Sequence, residues 1–395
     1  SLVVNSVSGE SEAVIMRVDA PYPLPVVTAG DALAGDTIRS LDHETLAVTT
    51  AAAVPALPAH IARLELPTPY PVGPVNAYVV LGRPVTLIDV GPNTDDAEAA
   101  LLDGLRALGL APADIGQVII THPHVDHHGG LDRFRRWHPA VRVAAHMGAG
   151  LFFGGAPRAR LEFYRQWLAQ TGLPAPGVEA ALEGLRRLGD LEPQAPADVW
   201  LQDGDLVAMG GGTWRVLHTP GHAGAQICLY HEPTGVMFTA DHVLPAVSSN
   251  AIIEPPPVPG ASRPRTLVQY LDALRRVAAL PVGLALPGHG QPFADLRALV
   301  HQRLAMHRER LQRLLTLLED GPATVFDLAQ AMFGAVGGQQ LVLALSEVQG
   351  HLDVLEALEQ VAAGPAGLRG DGAVLVYQRR PDAPPLLDGG AAGHK

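Results

Sequence analysis

One run of titratable residues narrows the choice of fold more than any other feature of this chain. Residues 118–130 read VIITHPHVDHHGG. Val118-Ile119-Ile120 has the apolar, β-branched character of a buried strand, and Gly129-Gly130 marks a turn into a helix. Between them stand His122, His124, Asp126, His127 and His128. Imidazole and carboxylate are the usual ligands of zinc and of other borderline divalent metals. On a loop leaving a strand, residues 122 and 124 point the same way, and 126 and 127 follow as the chain turns toward the helix. Such a loop can offer donors to two adjacent ions. A single loop histidine is more often just solvated, but this spacing makes a metal centre the better reading. His128 lies one residue past the last donor, so its side chain is expected to point away and pack.

Three more polar residues occur in matching contexts. His222 sits in HTPGHAG after the strand-like TWRVLHT, Asp241 in ADHVLP after GVMFTA, and His289 in LPGHGQP after an apolar run. Each leaves the end of a strand, where open α/β sheets place their ligands. Taken singly, each would be a turn residue; in this order they form a set. Asp89, in LIDVG, has two readings: a carboxylate behind a ligand, or a cap on the following turn. His242, beside Asp241, also has two: a group that stabilises an oxyanion or reaches substrate, or a buried histidine bonded to backbone.

Around these points the pattern alternates. IARLEL (61–66), NAYVVLG (76–82) and VTLIDVG (85–91) read as strands, and Asp95–Leu108 has helical spacing. A helix over Gly129–Trp137 and a strand VRVAAH (141–146) follow, which implies an α/β layered domain. Residues 150–198 carry helical pieces broken by Gly and Pro, an inserted cover. Phe152, Phe153, Tyr164 and Trp167 belong to it, most of them expected in its packing and the rest along a pocket. Strands resume over 199–240, EPPPVPG (254–260) is a loop, and a helix (266–279) and a strand (282–288) close the unit. From Leu296 the character changes. One helical seam runs through Val300, Leu304, His307, Leu311, Leu314 and Leu318, and Thr324 with Asp327 is a capping pair. A second seam joins Leu341, Leu345, Val348, Leu352 and Leu355, and Asp371-Gly372 is a turn between strands. Three helices and a hairpin make a winged-helix outline. The expected division is an N-terminal extension over 1–60, a catalytic domain over 61–295, a winged-helix-like domain over 296–380 and a disordered tail over 381–395.

Composition sets outer limits. Against 40 Asp and Glu stand 28 Lys and Arg, a formal charge of −12 that argues against polyanions as the main partner. Cys228 is the one cysteine, so no internal disulfide forms and any metal relies on nitrogen and oxygen ligands apart from that thiol. No apolar run approaches the ~20 residues of a membrane span. The opening SLVVNSVSGESEAVIMRV lacks the basic start and long apolar core of a signal peptide. A cytoplasmic protein is the expectation.

The HxHxDH run at 122–127, with His222, Asp241 and His289, resembles the metallo-β-lactamase superfamily over residues 60–295. The resemblance implies an α/β fold: an αββα sandwich with a metal site at one edge of its two sheets, here followed by the winged-helix-like domain. It implies that one metal takes His122, His124 and His222, that a second takes Asp126, His127 and His289, and that Asp241 bridges. Two divalent ions are expected, zinc first, with iron or manganese as alternatives. HTPGHAGAQICLY, ADHVLP and the C-terminal outline are similar to the subgroup of lactamase-beta-like protein 2 and the glyoxalase-II-like thioesterases. Ala223, Ala225-Gln226 and Ala240 depart from the usual residues, Ala240 standing where glycine is common. None of these removes a ligand.

The expected activity is hydrolysis of an ester, thioester or lactone of a small molecule by a metal-bridging hydroxide, with Asp126 and His242 as catalytic residues. A metal-dependent ribonuclease or phosphodiesterase is one alternative, and a mononuclear iron enzyme of the persulfide dioxygenase type is another. Residues 296–380 carry eight Lys and Arg against nine Asp and Glu. Nucleic acid is therefore not the favoured partner. Packing or a homodimer contact is the favoured use of that domain, and no membrane partner is expected.

Overall fold

The computed structural model describes residues 15–16, 54–154, 158–258, 260–369 and 372–383. Most of the expected extension, and the tail from residue 384, lie outside the described residues.

Two six-stranded sheets carry the architecture. The first contains, in order, β2 (Ile61–Leu66), β3 (Val75–Val80), β4 (Thr86–Ile88), β5 (Gln117–Ile120), β6 (Arg142–His146) and β7 (Val199–Leu201). β2 to β4 are antiparallel, and β4 to β7 are parallel. Parallel neighbours need crossovers. α1 (Asp95–Ala107) connects β4 to β5, and the short α2 (Val125–His128) and α3 (Leu131–Trp137) connect β5 to β6. Between β6 and β7 the chain inserts a helical hairpin, α4 (Arg158–Gln170) and α5 (Ala175–Gly189). Tyr164, Trp167 and Leu168 of α4 are buried, so the aromatic residues at 164 and 167 serve packing.

The second sheet has the order β1 (Ile15–Met16), β8 (Leu206–Met209), β9 (Gly212–His218), β10 (Ile227–His231), β11 (Val236–Ala240) and β12 (Leu284–Pro287). It is antiparallel except for β11 and β12, which are parallel and joined through α6 (Thr266–Ala278).

Strand side chains alternate between faces, and here both faces are covered. In β3, Tyr78 and Val80 join a core between the sheets with Trp214, Val216, Leu229 and Phe238. Val75, Ala77 and Val79 face the other way, toward Leu101 and Leu105 of α1. That is why NAYVVLG and VIIT read as unbroken apolar runs. The layers are helix, sheet, sheet, helix, as expected.

One helix starts earlier than its sequence pattern suggests. The expectation was Gly129–Trp137, but a turn of helix already covers Val125–His128, and the two pieces are separated at Gly129-Gly130. A Cβ on Gly130 would lie 2.9 Å from the Val90 carbonyl oxygen, so the chain passes there only as glycine.

The C-terminal region begins with α7 (Leu296–Leu317) and continues through β13 (Ala323–Thr324), α8 (Val325–Phe333), α9 (Gln339–Ala357), β14 (Val361–Arg369) and β15 (Gly372–Arg379). The strands form one sheet in the order β13-β15-β14. Thr324 Oγ1 accepts from the Asp327 amide and Asp327 returns the bond, which is the expected capping box. The expected seams of α7 and α9 are buried, Leu341 only partly, but not in a core of their own. Leu304, Leu311, Leu345, Val348 and Leu352 belong to one cluster with Leu267, Leu271 and Leu274 of α6 and with Leu168 of α4.

Ala240, at the end of β11, is held at φ 44°. A side chain in that left-handed conformation costs about 1 kcal/mol relative to glycine, a physical reason for glycine to be common there. Ala240→Gly should therefore raise the unfolding free energy by about 0.5–1 kcal/mol in urea titration, the backbone relief exceeding the added chain entropy. Unchanged or lower stability would contradict this account of the position.

Candidate metal centre

The loops that leave β4, β5, β9, β11 and β12 meet at one edge of the sandwich and bring together all seven expected ligands. His122 and His124 follow β5, Asp126 and His127 lie on α2, His222 follows β9, Asp241 follows β11 and His289 follows β12. Donor atoms of His122, His124 and His222 lie within 4.8 Å of one another, and so do those of Asp126, His127 and His289. Asp241 stands between the groups. Its Oδ1 is 3.3 Å from His127 Nε2, and its Oδ2 is 3.6 Å from His222 Nε2 and 3.5 Å from His289 Nε2. Asp126 Oδ2 is 3.3 Å from His289 Nε2.

The far nitrogen of four of the five rings is fixed by its surroundings. His222 Nδ1 donates to the Asn250 carbonyl at 2.9 Å, and His289 Nδ1 to the Pro74 carbonyl at 2.8 Å. His127 Nδ1 meets Asp89 Oδ2 at 2.8 Å. His122 Nδ1 lies 3.1 Å from the Thr121 hydroxyl, which donates to the same Asp89 oxygen at 2.7 Å. A bond at Nδ1 sets the tautomer and turns the Nε2 lone pair inward. Nε2 of His122, His127, His222 and His289, and Oδ1 of Asp241, are buried and form no hydrogen bond of good geometry. Leaving one such atom unsatisfied costs about 1–3 kcal/mol. Four lone pairs aimed at one space, with two carboxylates among them, are a donor set that fits a pair of divalent cations.

At His122 and His124 the electrostatics agree with that fit. Burial holds His122 far below the usual imidazole range and His124 down at about 3, and the neighbouring imidazoles add to the effect. Both rings are therefore neutral, as ligands must be. Although burial pushes the other way, His127 and His289 hold Asp126 at about 2 and Asp241 lower still. His127 is raised because Asp241, Asp126 and Asp89 together outweigh its burial.

Of the two readings of Asp89 the structure carries the carboxylate behind a ligand: its side-chain oxygens meet Thr121 and His127 across the sheet and not the turn that follows it. It sits at φ 58°, a conformation rare for a residue with a side chain, and it also accepts the Thr121 amide at 2.8 Å. Backbone strain of this kind persists where the surroundings enforce it, and here the enforcing contacts orient His122 and His127. His128 points away as expected, its two nitrogens meeting the carbonyls of His124 and Phe152. For His242, the structure shows the buried ring of the second reading but no hydrogen bond of good geometry at either ring nitrogen. The side chain is fully buried, with its ring edge-on to Tyr270 at 5.4 Å between centroids, and so presents no surface to a substrate.

Sequence reasoning missed Gly288, Pro74 and Asn250. A Cβ on Gly288 would stand 2.0 Å from Asp241 Oδ1 and 2.8 Å from His127 Cε1, so only glycine leaves room for both. Its place one residue before His289 was the available signal. Pro74 and Asn250 act through backbone carbonyls, which no side-chain pattern reveals. Glu254 was missed too. Its Oε2 accepts the Gly224 amide at 2.9 Å, and burial pushes its carboxyl up to about 7.

The profile of the metallo-beta-lactamase superfamily matches residues 70–289. The probable metallo-hydrolase YqjP of Bacillus subtilis is 35% identical over 303 residues, 76% of this chain and 93% of that protein. An atrochrysone carboxyl ACP thioesterase of Aspergillus fumigatus is 24% identical over 73% of this chain and 54% of its own length. Among solved structures, a metallo-beta-lactamase family protein from Thermus thermophilus superposes with a TM-score of 0.68 at 31% identity, covering 82% of this chain and all of that one. A beta-lactamase domain protein from Burkholderia ambifaria gives 0.66 at 24% identity, over 85% of this chain and 98% of that one, a likeness of fold.

Two outcomes follow from this geometry. His127→Ala should lose one of two bound metal equivalents, measured by elemental analysis after dialysis, while His128→Ala keeps both; loss in His128→Ala alone would contradict the division. Glu254 concerns pH. A carboxyl that titrates at about 7 when folded, against an ordinary 4.5, keeps a proton that the unfolded chain has already lost. Stability from this group therefore falls as pH rises between those values. Glu254→Gln, which keeps an acceptor for the Gly224 amide, should flatten the decline in unfolding free energy between pH 5 and pH 7. An unchanged slope would show that Glu254 does not titrate in that window.

Proposed function

This chain belongs to the metallo-β-lactamase superfamily, and on that premise we propose that it is a dinuclear metal-dependent hydrolase of a small ester, thioester or lactone. The observation that carries the reading is the set of inward, unpartnered Nε2 atoms from both sheets around Asp241. His122, His124 and His222 would hold one ion, Asp126, His127 and His289 the other, and Asp241 both. Bound there, two divalent ions would supply Lewis acidity, which lowers the pKa of water from 15.7 toward roughly 7 and polarises a carbonyl. Zinc is the metal that this nitrogen and oxygen set suits first. Asp126 is ionised at neutral pH and stands at the edge of the donor set, 3.3 Å from His289 Nε2. Its carboxylate orients the attacking water and accepts its proton. The buried rings and Asp241 keep their positions, so little reorganisation accompanies the charge that develops.

The likeness to a named metallo-hydrolase supports hydrolysis, and the more distant thioesterase supports a thioester as the first substrate to try. A nucleic-acid role for the C-terminal module is disfavoured on burial. In a winged-helix protein the third helix reads the major groove. Here every residue of α9 from Ala344 to Leu355 is buried, so that stretch of the helix has no free face for a groove.

With zinc-loaded protein, turnover is expected on a panel of acyl thioesters and lactones and none on single- or double-stranded RNA. Asp126→Ala should lower thioester or lactone turnover by about 10²–10⁴-fold with the circular dichroism spectrum unchanged. Cleavage of RNA without turnover of any thioester or lactone would overturn the proposal.

A further inference from the structure

The four rings fixed at Nδ1 differ in what stands behind them. His122, His127 and His289 are backed by Thr121, Asp89 and Pro74, all at the ends of strands in the first sheet. His222 is backed by Asn250, in a stretch between β11 and α6 that has no helix or strand of its own. The same stretch holds Asp241, whose carbonyl accepts from Ser249 Oγ at 2.5 Å. A loop without a ladder of hydrogen bonds needs outside support to keep a carbonyl in one place.

That support comes from the C-terminal helices. Arg303 of α7 donates through Nη2 to the carbonyls of Leu244, Pro245 and Val247 at 3.1–3.3 Å. Asn250 Nδ2 donates to the Leu343 carbonyl of α9 at 2.9 Å. The Ile253 amide donates to Ser346 Oγ at 3.3 Å, and Arg263 forms a two-pronged pair with the buried Asp353 at 2.6 and 2.8 Å. Gly350 of α9 packs where an added Cβ would meet Leu267 at 2.9 Å, so the helix sits hard against the start of α6. The bonds of Arg303, Asn250 and Ser346 join a side chain of one region to the backbone of the other, the Arg263–Asp353 pair joins two side chains, and most of them are partly buried. They give the buried Ser346 and Asp353 of α9 their partners.

We propose that the C-terminal module is a clamp on the metal centre: through Arg303 and Asn250, α7 and α9 hold the 244–253 loop and with it the carbonyl that orients His222. Arg303 and Asn250 are positioning residues, acting through His222 on the ion it shares with His122 and His124. The inference rests on the reading of His222 as a ligand. Loss of a group that orients a ligating histidine typically weakens metal binding by about 10–100-fold.

The test is competition for zinc between the full-length protein and a chromophoric chelator, with cobalt absorption spectra as a second readout. In Asn250→Ala and in Arg303→Met, one of the two equivalents should bind about 10–100-fold more weakly with an altered cobalt spectrum, and the other should be unchanged. Arg379→Ala, which removes a surface pair with Glu319 in the same module, should bind both equivalents as the parent does. If both variants keep parental affinity for both equivalents while His222→Ala loses one, the clamp is refuted and the metal reading stands. If His222→Ala keeps both, the metal reading falls and the clamp with it. Should the variants fail to fold, hydrogen exchange on the parent protein decides. Metal binding should slow amide exchange in residues 244–253, since coupling between the sites is reciprocal. No change there overturns the proposal.

Discussion

A buried imidazole nitrogen with no partner destabilises a fold by about 1–3 kcal/mol, and this chain gathers four of them beside two carboxylates. Much of the architecture follows from holding that arrangement. The donors come from β5 and α2 in one sheet and from the ends of β9, β11 and β12 in the other, so the site exists only when the two sheets pack. The apolar layer between them, with Tyr78, Ile119, Trp214 and Phe238, sets their separation. Asp89 and Thr121 lock two rings, Pro74 a third and Asn250 a fourth. Gly288 keeps the space open beside Asp241. Rigid donors around a fixed space are what electrostatic preorganisation requires.

The strands were legible because both faces are buried. Runs such as VIIT and NAYVVLG have no polar alternation to confuse with a surface strand, and each ligand follows such a run directly. The one-turn helix over Val125–His128 was not legible, because it is set by the Gly130 amide reaching the Gly91 carbonyl at 2.8 Å. His242 illustrates a different limit. Its place next to Asp241 suggests chemistry, yet the chain direction at Ala240, with its left-handed φ, precedes a ring buried against Tyr270. Position along the chain gave proximity, while orientation came from tertiary contacts. Pro74 and Asn250 were invisible for a related reason, since a carbonyl has no residue code and its partner lies 215 or 28 positions away.

The C-terminal region shows how a correct pattern can still mislead about use. The Leu345–Val348–Leu352–Leu355 seam of α9 is where the heptad-like spacing puts it. A seam predicts one buried face and leaves the other to solvent. Here the opposite face is buried too, by the 244–253 loop, by Arg263 and by Tyr377, whose hydroxyl accepts from Gln349 at 2.9 Å. The outline of helices and hairpin is therefore a wall of the hydrolase unit, continuous with its core.

The central claim is that two divalent ions sit between the strand ends, and direct counting tests it most plainly. Elemental analysis of protein purified without added metal, paired with anomalous diffraction at the absorption edge of each metal found, gives both number and position. The account predicts two ions per chain, one beside His122, His124 and His222 and one beside Asp126, His127 and His289, with Asp241 in contact with both. A single iron per chain, or ions located elsewhere, would contradict it.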